Sequence, residues 1–413
     1  MGDWKEIAGG VTAARGYRAA GIKAGLKPSG MPDLALIVSD VDAIAAGVFT
    51  TSQVRAACVD YCRQCLQVKQ SARAILCNAG QANAATGIQG VKDAQESADL
   101  LAKELGISSQ AILLASTGVI GPRIKMDALR DGIPKVVAAL SADGSDAAAG
   151  AIITTDLVTK SIALETTIHD RPVRIGGIAK GSGMIHPNMA TMLAFVTCDA
   201  TVSSPLWQQM LTRAADKSFN SITVDGDTST NDSLIALANG ESRTPAITEM
   251  GAEAEKLEAM LTEVCQYLAK AIARDGEGAT CLVEVQVSGA SDETAARQIA
   301  KTIAGSSLVK SAIFGRDPNW GRIAGAAGRA GIPFEQDHLK IKMGDFLLME
   351  KGQPLPFDKA AVSAYLKQAA AGAYLQEDTV LISVNVGNGN GSGKAWGCDL
   401  SYDYIKINAE YTT

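Results

Sequence analysis

The sequence predicts an α+β protein built in layers, with strands and helices mixed along the chain but not in strict βαβ order. Three observations carry that expectation. Amphipathic stretches read as helices that bury one face. Short apolar runs between them read as buried strands. At 413 residues the chain is too long for one small core, and suits two or three domains or one large layered body with an appended piece.

The elements follow in order. Leu34 to Val38, Ala74 to Cys77, Ala111 to Leu114 and Met192 to Thr197 are short apolar strand signals. Among the helices, Val91 to Leu105 sets Leu101 and Leu105 on one face, and Met126 to Leu140 follows. Ser204-Pro205 reads as a helix start into Leu206 to Ser218, with Ser204 capping and Pro205 in the first turn. Glu253 to Ile272 lines up Leu257, Met260, Leu261, Val264 and Leu268 on one stripe. Glu293 to Ile303 and Ala360 to Leu375 are further helices. Alternation predicts strands at Cys281 to Val287 and Tyr402 to Ile407, and the glycine-rich Gly387 to Gly393 predicts a joint between two strands.

Composition excludes several classes. The formal charge is 38 − 44 = −6, without a basic stripe, so nucleic acid is not an expected partner. No apolar stretch reaches the ~18 residues that span a bilayer. The start, MGDWKE, lacks a signal-peptide pattern and has Glu6 where myristoylation wants Ser or Thr, so a cytoplasmic protein is expected, with no membrane partner.

Some motifs invite chemistry and do not sustain it. Cys58, Cys62 and Cys65 have the C-x3-C-x2-C spacing of an iron–sulfur cluster that activates S-adenosylmethionine. Gln64 stands where such clusters usually have an aromatic residue, so small, half-buried residues on a local element are the preferred reading, and no metal or other cofactor is expected. GNGNGSGKA fails as a phosphate loop at Asn388 and Ala395. DGDTSTND, from Asp225 to Asp232, fails as a calcium loop at Thr230 and Ala236, yet would make a good polar pocket lining. With only three histidines, His169, His186 and His338, and no G-x-S-x-G elbow, a conventional triad is poorly supplied.

The stretch GMIHPNMATMLAF, from Gly183 to Phe195, offers another nucleophile. A threonine hydroxyl needs a base. If the bond between Ala190 and Thr191 were cut, the new α-amino group would sit beside the hydroxyl, with a reference pKa of ~7.7–8.0. Pro187 sets a turn and Ala190 leaves its carbonyl open to approach. The residues alone leave this open against a strand-opening threonine with a satisfied hydroxyl.

KGSGMIHPNMATML closely resembles the self-cleaving segment of the ornithine acetyltransferase family, the bifunctional glutamate/ornithine N-acetyltransferases of arginine biosynthesis. GVFTTS, NAGQANAATG, STGVIG, TTD, FNSITVDGDTSTNDS, GRDPNWGRI and the terminal NAEYTT resemble the same family, in its order and across nearly the whole chain. The resemblance implies a layered αββα body of the self-cleaving, N-terminal-nucleophile-like type, with a smaller C-terminal α/β lobe from about 281. It implies an alpha chain of residues 1–190 and a beta chain of 191–413, assembled as two of each. Thr191 matches the nucleophile, Ala190 the residue before the cut, and Thr117 and Gly118 the oxyanion-stabilising pair. Thr154, Lys180, Thr191, Glu277, Asn408 and Thr413 match substrate-contacting positions, so the tail should fold back to the pocket. The implied substrates are N-acetylornithine and glutamate. Lys180 suits an α-carboxylate and Glu277 an ammonium, though the pairing is not set by sequence. Whether acetyl-CoA is also a donor is not set either. A self-cleaving amidohydrolase or aminopeptidase of related fold is the alternative.

Overall fold

The structure is a computed structural model that describes residues 3–186 and 192–410. The first nine strands are β1 (Trp4–Glu6), β2 (Tyr17–Ile22), β3 (Leu34–Phe49), β4 (Ser71–Gln81), β5 (Ile112–Val119), β6 (Lys160–Ile168), β7 (Arg171–Lys180), β8 (Leu193–Cys198) and β9 (Ser233–Ala238). They form one sheet in the order β1-β6-β7-β8-β9-β3-β4-β5, with β2 also on β3. Strand β3 is the hinge of this sheet. Its first half, Leu34 to Val38, pairs with β2 and β4, and its second half, from Ile44, pairs with β9. The register breaks between Val38 and Ala43, and the break turns the sheet back on itself.

Two sheet layers therefore face each other. Leu34, Leu36 and Ile75 from one half share a core with Ile178, Leu193, Phe195, Ile235 and Leu237 from the other. Helices α1 (Ala57–Val68), α2 (Gly87–Leu105) and α3 (Met126–Ala138) cover the first half, and α4 (Ser145–Ile152) packs on β2 and β3. Helices α5 (Ser204–Asp216) and α6 (Ala252–Arg274) cover the second half. The stripe Leu257, Met260, Leu261, Val264 and Leu268 of α6 is wholly buried against that half, with Ile175, Ala194 and Val196 in the same core. The body is α+β with an αββα order of layers.

A second, six-stranded sheet follows, in the order β13-β12-β11-β14-β10-β15. Its strands are β10 (Leu282–Ala290), β11 (Lys340–Met343), β12 (Phe346–Glu350), β13 (Gln353–Pro354), β14 (Thr379–Asn385) and β15 (Gly391–Cys398). Helices α7 (Glu293–Ala304), α8 (Ser307–Phe314), α9 (Trp320–Gly328) and α10 (Lys359–Ala370) accompany it, α7, α9 and α10 burying their apolar sides in its core. The last described helix is α11 (Tyr402–Ala409).

Most local expectations agree with this arrangement, and several differ, among them the start of α2 at Gly87, four residues before Val91. The alternating run Tyr402 to Ile407 is helix, not strand. Ser401 caps it, its Oγ accepting from Asp403 N at 3.2 Å, and none of its residues is buried, so the alternation reflects no buried strand face. The helix after Ser203 starts one residue earlier than expected, with Ser203 at the N-cap. The helix from Lys359 stops at Ala370, five residues short of Leu375. Among the described residues, no helix is long and apolar enough to cross a membrane.

Candidate active site

A cavity of about 390 Å³ opens where the ends of β5 and β7 meet the starts of β8 and β9. Thr117, Gly118, Thr154, Lys180, Gly183, Met192, Thr230, Asn231, Glu277 and Asn408 are among its lining residues. A larger groove of about 510 Å³, with Lys217, Arg297, Lys342 and Lys394 on its walls, lies on the second sheet; it takes in Gly393 and Lys394 of the rejected phosphate-loop motif but none of the candidate site residues.

The strands deliver the residues. Thr117 and Gly118 end β5, beside Ala79 and Gly80 of the parallel β4. Gly118 has φ +128, and a Cβ there would sit 2.3 Å from the Gly80 carbonyl carbon, so only glycine fits. Lys180 ends β7, opposite Leu193 of β8. The DGDTSTND loop does line the cavity, through Ser229 to Asp232 at the entry to β9. Asn231 ties it to the first layer, donating to Ala82 O at 2.6 Å and Ser116 O at 2.8 Å.

Lys180 is almost buried, and its Nζ donates to Thr154 Oγ1 at 2.8 Å and Thr117 Oγ1 at 3.3 Å. Its carboxylate neighbour is Asp156, with Oδ2 3.9 Å away. Asp156 in turn belongs to a buried cluster. Lys160 Nζ lies 2.7 Å from Asp156 Oδ1 and 2.6 Å from Asp275 Oδ2. Burial raises the Asp156 carboxyl, but the Lys180 and Lys160 ammoniums outweigh it and hold the group well below the carboxylate range. Asp275 shares Lys160 with Asp156. Burial dominates there, the Asp156 charge adds to it, and its carboxyl is raised.

Glu277 follows Asp275 and Gly276. Its backbone N donates to Ser182 O at 3.1 Å, and its carboxyl packs against Gly183, where a Cβ would come within 2.5 Å. Asn408 of α11 reaches over from the end of the chain and donates to Glu277 Oε2 at 2.8 Å. Thus the described candidates Thr117, Gly118, Thr154, Lys180, Glu277 and Asn408 share one cavity.

The expectations for Ala190, Thr191 and Thr413 fall outside the described residues. The chain on either side of 187–191 is anchored at the cavity. Met184 N and Ile185 N donate to the Asp225 carboxylate at 2.6 and 2.9 Å, and Ser233 N donates to Met192 O at 3.0 Å. His186 stands beside Thr223 Oγ1, with Nδ1 at 2.9 Å, and burial with Lys301 lowers its pKa from 6.5 to about 4. A half-buried, neutral imidazole in that setting is structural.

Sequence reasoning missed Asp156, Lys160 and Asp275. Only Asp156 carried a signal, as part of TTD; the pairing across 115 residues of sequence did not. The cysteine trio lies on α1 with all three side chains buried. Cys62 Sγ is engaged with the backbone of Leu114, accepting from N and donating to O at 3.1 Å each. Among the described residues no group of three His, Cys, Asp or Glu is arranged to hold a metal.

An αββα body with a small polar cavity at its strand ends, holding an ammonium, a carboxylate and a glycine-only turn, is that of an enzyme acting on small charged molecules. The comparisons narrow the class. The ArgJ family model matches residues 18–413, and the chain belongs to the ArgJ family. It is 86% identical, over the whole of both chains, to arginine biosynthesis bifunctional protein ArgJ 1 from Nostoc sp., and 72% identical, again over the whole of both, to the ArgJ protein of Synechocystis sp.. A crystal structure of arginine biosynthesis bifunctional protein argJ from Bacillus halodurans matches with 45% identity and a TM-score of 0.50, covering 52% of this chain and 98% of that one. The protein is a multifunctional transferase of arginine biosynthesis.

Proposed function

We propose that this glutamate N-acetyltransferase moves acetyl from N2-acetylornithine to glutamate, releasing ornithine and N-acetylglutamate, by a ping-pong route through acetyl-Thr191. The observation that carries the reading is the convergence of Thr117, Gly118, Thr154, Lys180, Glu277 and Asn408 on the cavity that also takes in Met192, the residue after Thr191. In this reading the chain cleaves itself between Ala190 and Thr191. The freed Thr191 amine takes the hydroxyl proton as the hydroxyl attacks the acetyl carbonyl, and Thr117 with Gly118 stabilises the oxyanion. The same amine passes its proton to departing ornithine. Glutamate's neutral amine then attacks the acetyl-threonine ester, and the threonine hydroxyl is restored.

Lys180 and Glu277 give the cavity opposite charges suited to an amino acid's carboxylate and ornithine's side-chain ammonium. Thr154, Asn408 and Thr413 complete the substrate contacts. Acetyl-CoA as a second donor, a cytoplasmic location and an assembly of two alpha and two beta chains belong to the same reading. The solved Bacillus halodurans chain supports cleavage indirectly. Nearly all of it matches only about half of this chain, and the expected beta chain, 413 − 190 = 223 residues, is also about half.

The test is mass spectrometry and kinetics on freshly purified protein. The wild type should yield pieces of 190 and 223 residues (413 − 190) and Thr191→Ala a single chain. N-acetylornithine alone should add one acetyl to the beta chain, and varied substrates should give parallel lines. Intersecting lines with no acetyl on Thr191 would mean direct transfer between two bound substrates.

A further inference from the structure

The hydroxyl of Thr117 is not alone at the end of β5. Lys180 Nζ, 3.3 Å away, donates to its Oγ1. A hydroxyl carries one proton and two lone pairs, so accepting from an ammonium leaves that proton to be donated elsewhere. The charge also makes the hydroxyl a stronger donor, since hydrogen bonds in a chain polarise one another. Lys180 spends a second donor on Thr154 Oγ1 at 2.8 Å.

What fixes Lys180 there is Asp156. Its Oδ1 accepts from the N–H of Gly181, the next residue, at 2.6 Å. Its Oδ2 accepts from the N–H of Thr154 at 3.0 Å, and lies 3.9 Å from the Lys180 ammonium. One side chain thus holds the backbone after Lys180, the backbone of the hydroxyl that shares it, and the charge itself. Lys160 and Asp275, both buried, brace Asp156 from behind.

We infer that Asp156 is a positioning residue for the oxyanion side of the cavity, acting through Lys180 on the Thr117 hydroxyl. The inference rests on the oxyanion role given to Thr117 above. It makes Lys180 a support of the transition state rather than only a partner for a substrate carboxylate. Loss of that support should therefore appear in kcat, because it acts on charge that develops during reaction, and not in KM.

The experiment is a double-mutant cycle on the full-length protein, with Asp156→Asn, Thr117→Ala and the pair, following kcat and KM for both substrates. Thr117→Ala should lower kcat about 10²-fold or more, the effect of losing one oxyanion donor. Asp156→Asn should lower kcat at least about 10-fold, with each KM changed less than about 3-fold, and the pair should be little worse than Thr117→Ala alone. Losses that multiply, or a rise in KM at unchanged kcat, would overturn the inference while leaving the oxyanion reading intact. Full activity in Thr117→Ala would overturn that reading and the inference with it. Should Asp156→Asn fail to fold, the cycle of Lys180→Met with Thr117→Ala tests the same link without touching the buried cluster. Coupled losses there support the inference, and independent losses overturn it.

Discussion

Two clusters of buried titratable side chains sit against the first sheet, and they have opposite fates. In the thiol cluster, Cys58, Cys62 and Cys65 share α1, and burial dominates. It lifts the Cys58 thiol from 9.0 to about 11 and raises Cys62 and Cys65 as well. In the charged cluster, Lys160 is as deeply buried as any cysteine, but two carboxylates stand within 2.7 Å of its ammonium. Burial alone therefore does not set a group's state. A thiol without a cation beside it stays neutral and serves packing. An ammonium between two carboxylates is paired on both sides, and so ties together the backbone segments that carry them. The reactive-looking motif is packed away in the core, and the unremarked Asp and Lys residues stand behind Lys180, which lines the cavity.

The comparison breaks most sharply if Lys160 is dispensable. Lys160→Met leaves two buried carboxylates facing each other and should cost about 3–5 kcal/mol of stability, measured by urea unfolding. A cost below about 1 kcal/mol would mean that the cluster is not held by its charges. Next in size is Gly118→Ala. With φ at +128 and Gly80 backbone 2.3 Å from the new Cβ, the end of β5 must shift, and kcat should fall about 10²-fold or more. An unchanged kcat would detach the turn from the chemistry.

The thiol cluster makes a smaller and graded prediction. Strand β5 is an edge strand, and Cys62 satisfies Leu114 N and O on that edge. Cys62→Val should cost about 1–3 kcal/mol, because it leaves those groups unpaired. None of the three cysteine variants should lower kcat in properly folded protein. Equal costs at all three positions, or loss of activity at any of them, would remove the distinction between the clusters.

His186 sharpens the contrast from outside both clusters. Its folded pKa, about 4, lies below its ordinary 6.5. Between those values the unfolded chain holds more protons than the folded one. Stability should therefore rise with pH through that window and be lost as pH falls from 6.5 to 4. The effect should be on the order of 1 kcal/mol, since the ring is only half-buried and solvent screens it. Thermal melts of wild type and His186→Gln across pH 4–7 check this, the variant showing the flatter profile.

Much of the layered body was legible because burial leaves a periodic record. The stripe on α6 is a local pattern, and so are the apolar cores of β3, β4, β5 and β8. The record fails where burial is not the cause. Nothing on α11 is buried, so its alternation at Tyr402 to Ile407 imitates a strand without being one. Of the residues lining the cavity, the resemblance named Thr117, Gly118, Thr154, Lys180, Glu277 and Asn408, while composition pointed only to the polar loop before β9.

By itself, then, the sequence determined the α+β class, most helix and strand positions, the weakness of each decoy motif and, through its motifs, the family. Tertiary structure alone decided which charges meet. Lys160 and Asp156 are four residues apart, but Asp275 arrives from the end of α6, 115 residues further on. Likewise, Lys180 reaches Thr117 across 63 residues and Cys62 reaches Leu114 across 52. Periodicity reports only which side of an element is buried. Electrostatic and hydrogen-bond partners depend on distances of a few ångströms between elements, and those are set when β3 folds the sheet back and β5, β7, β8 and β9 bring their ends together.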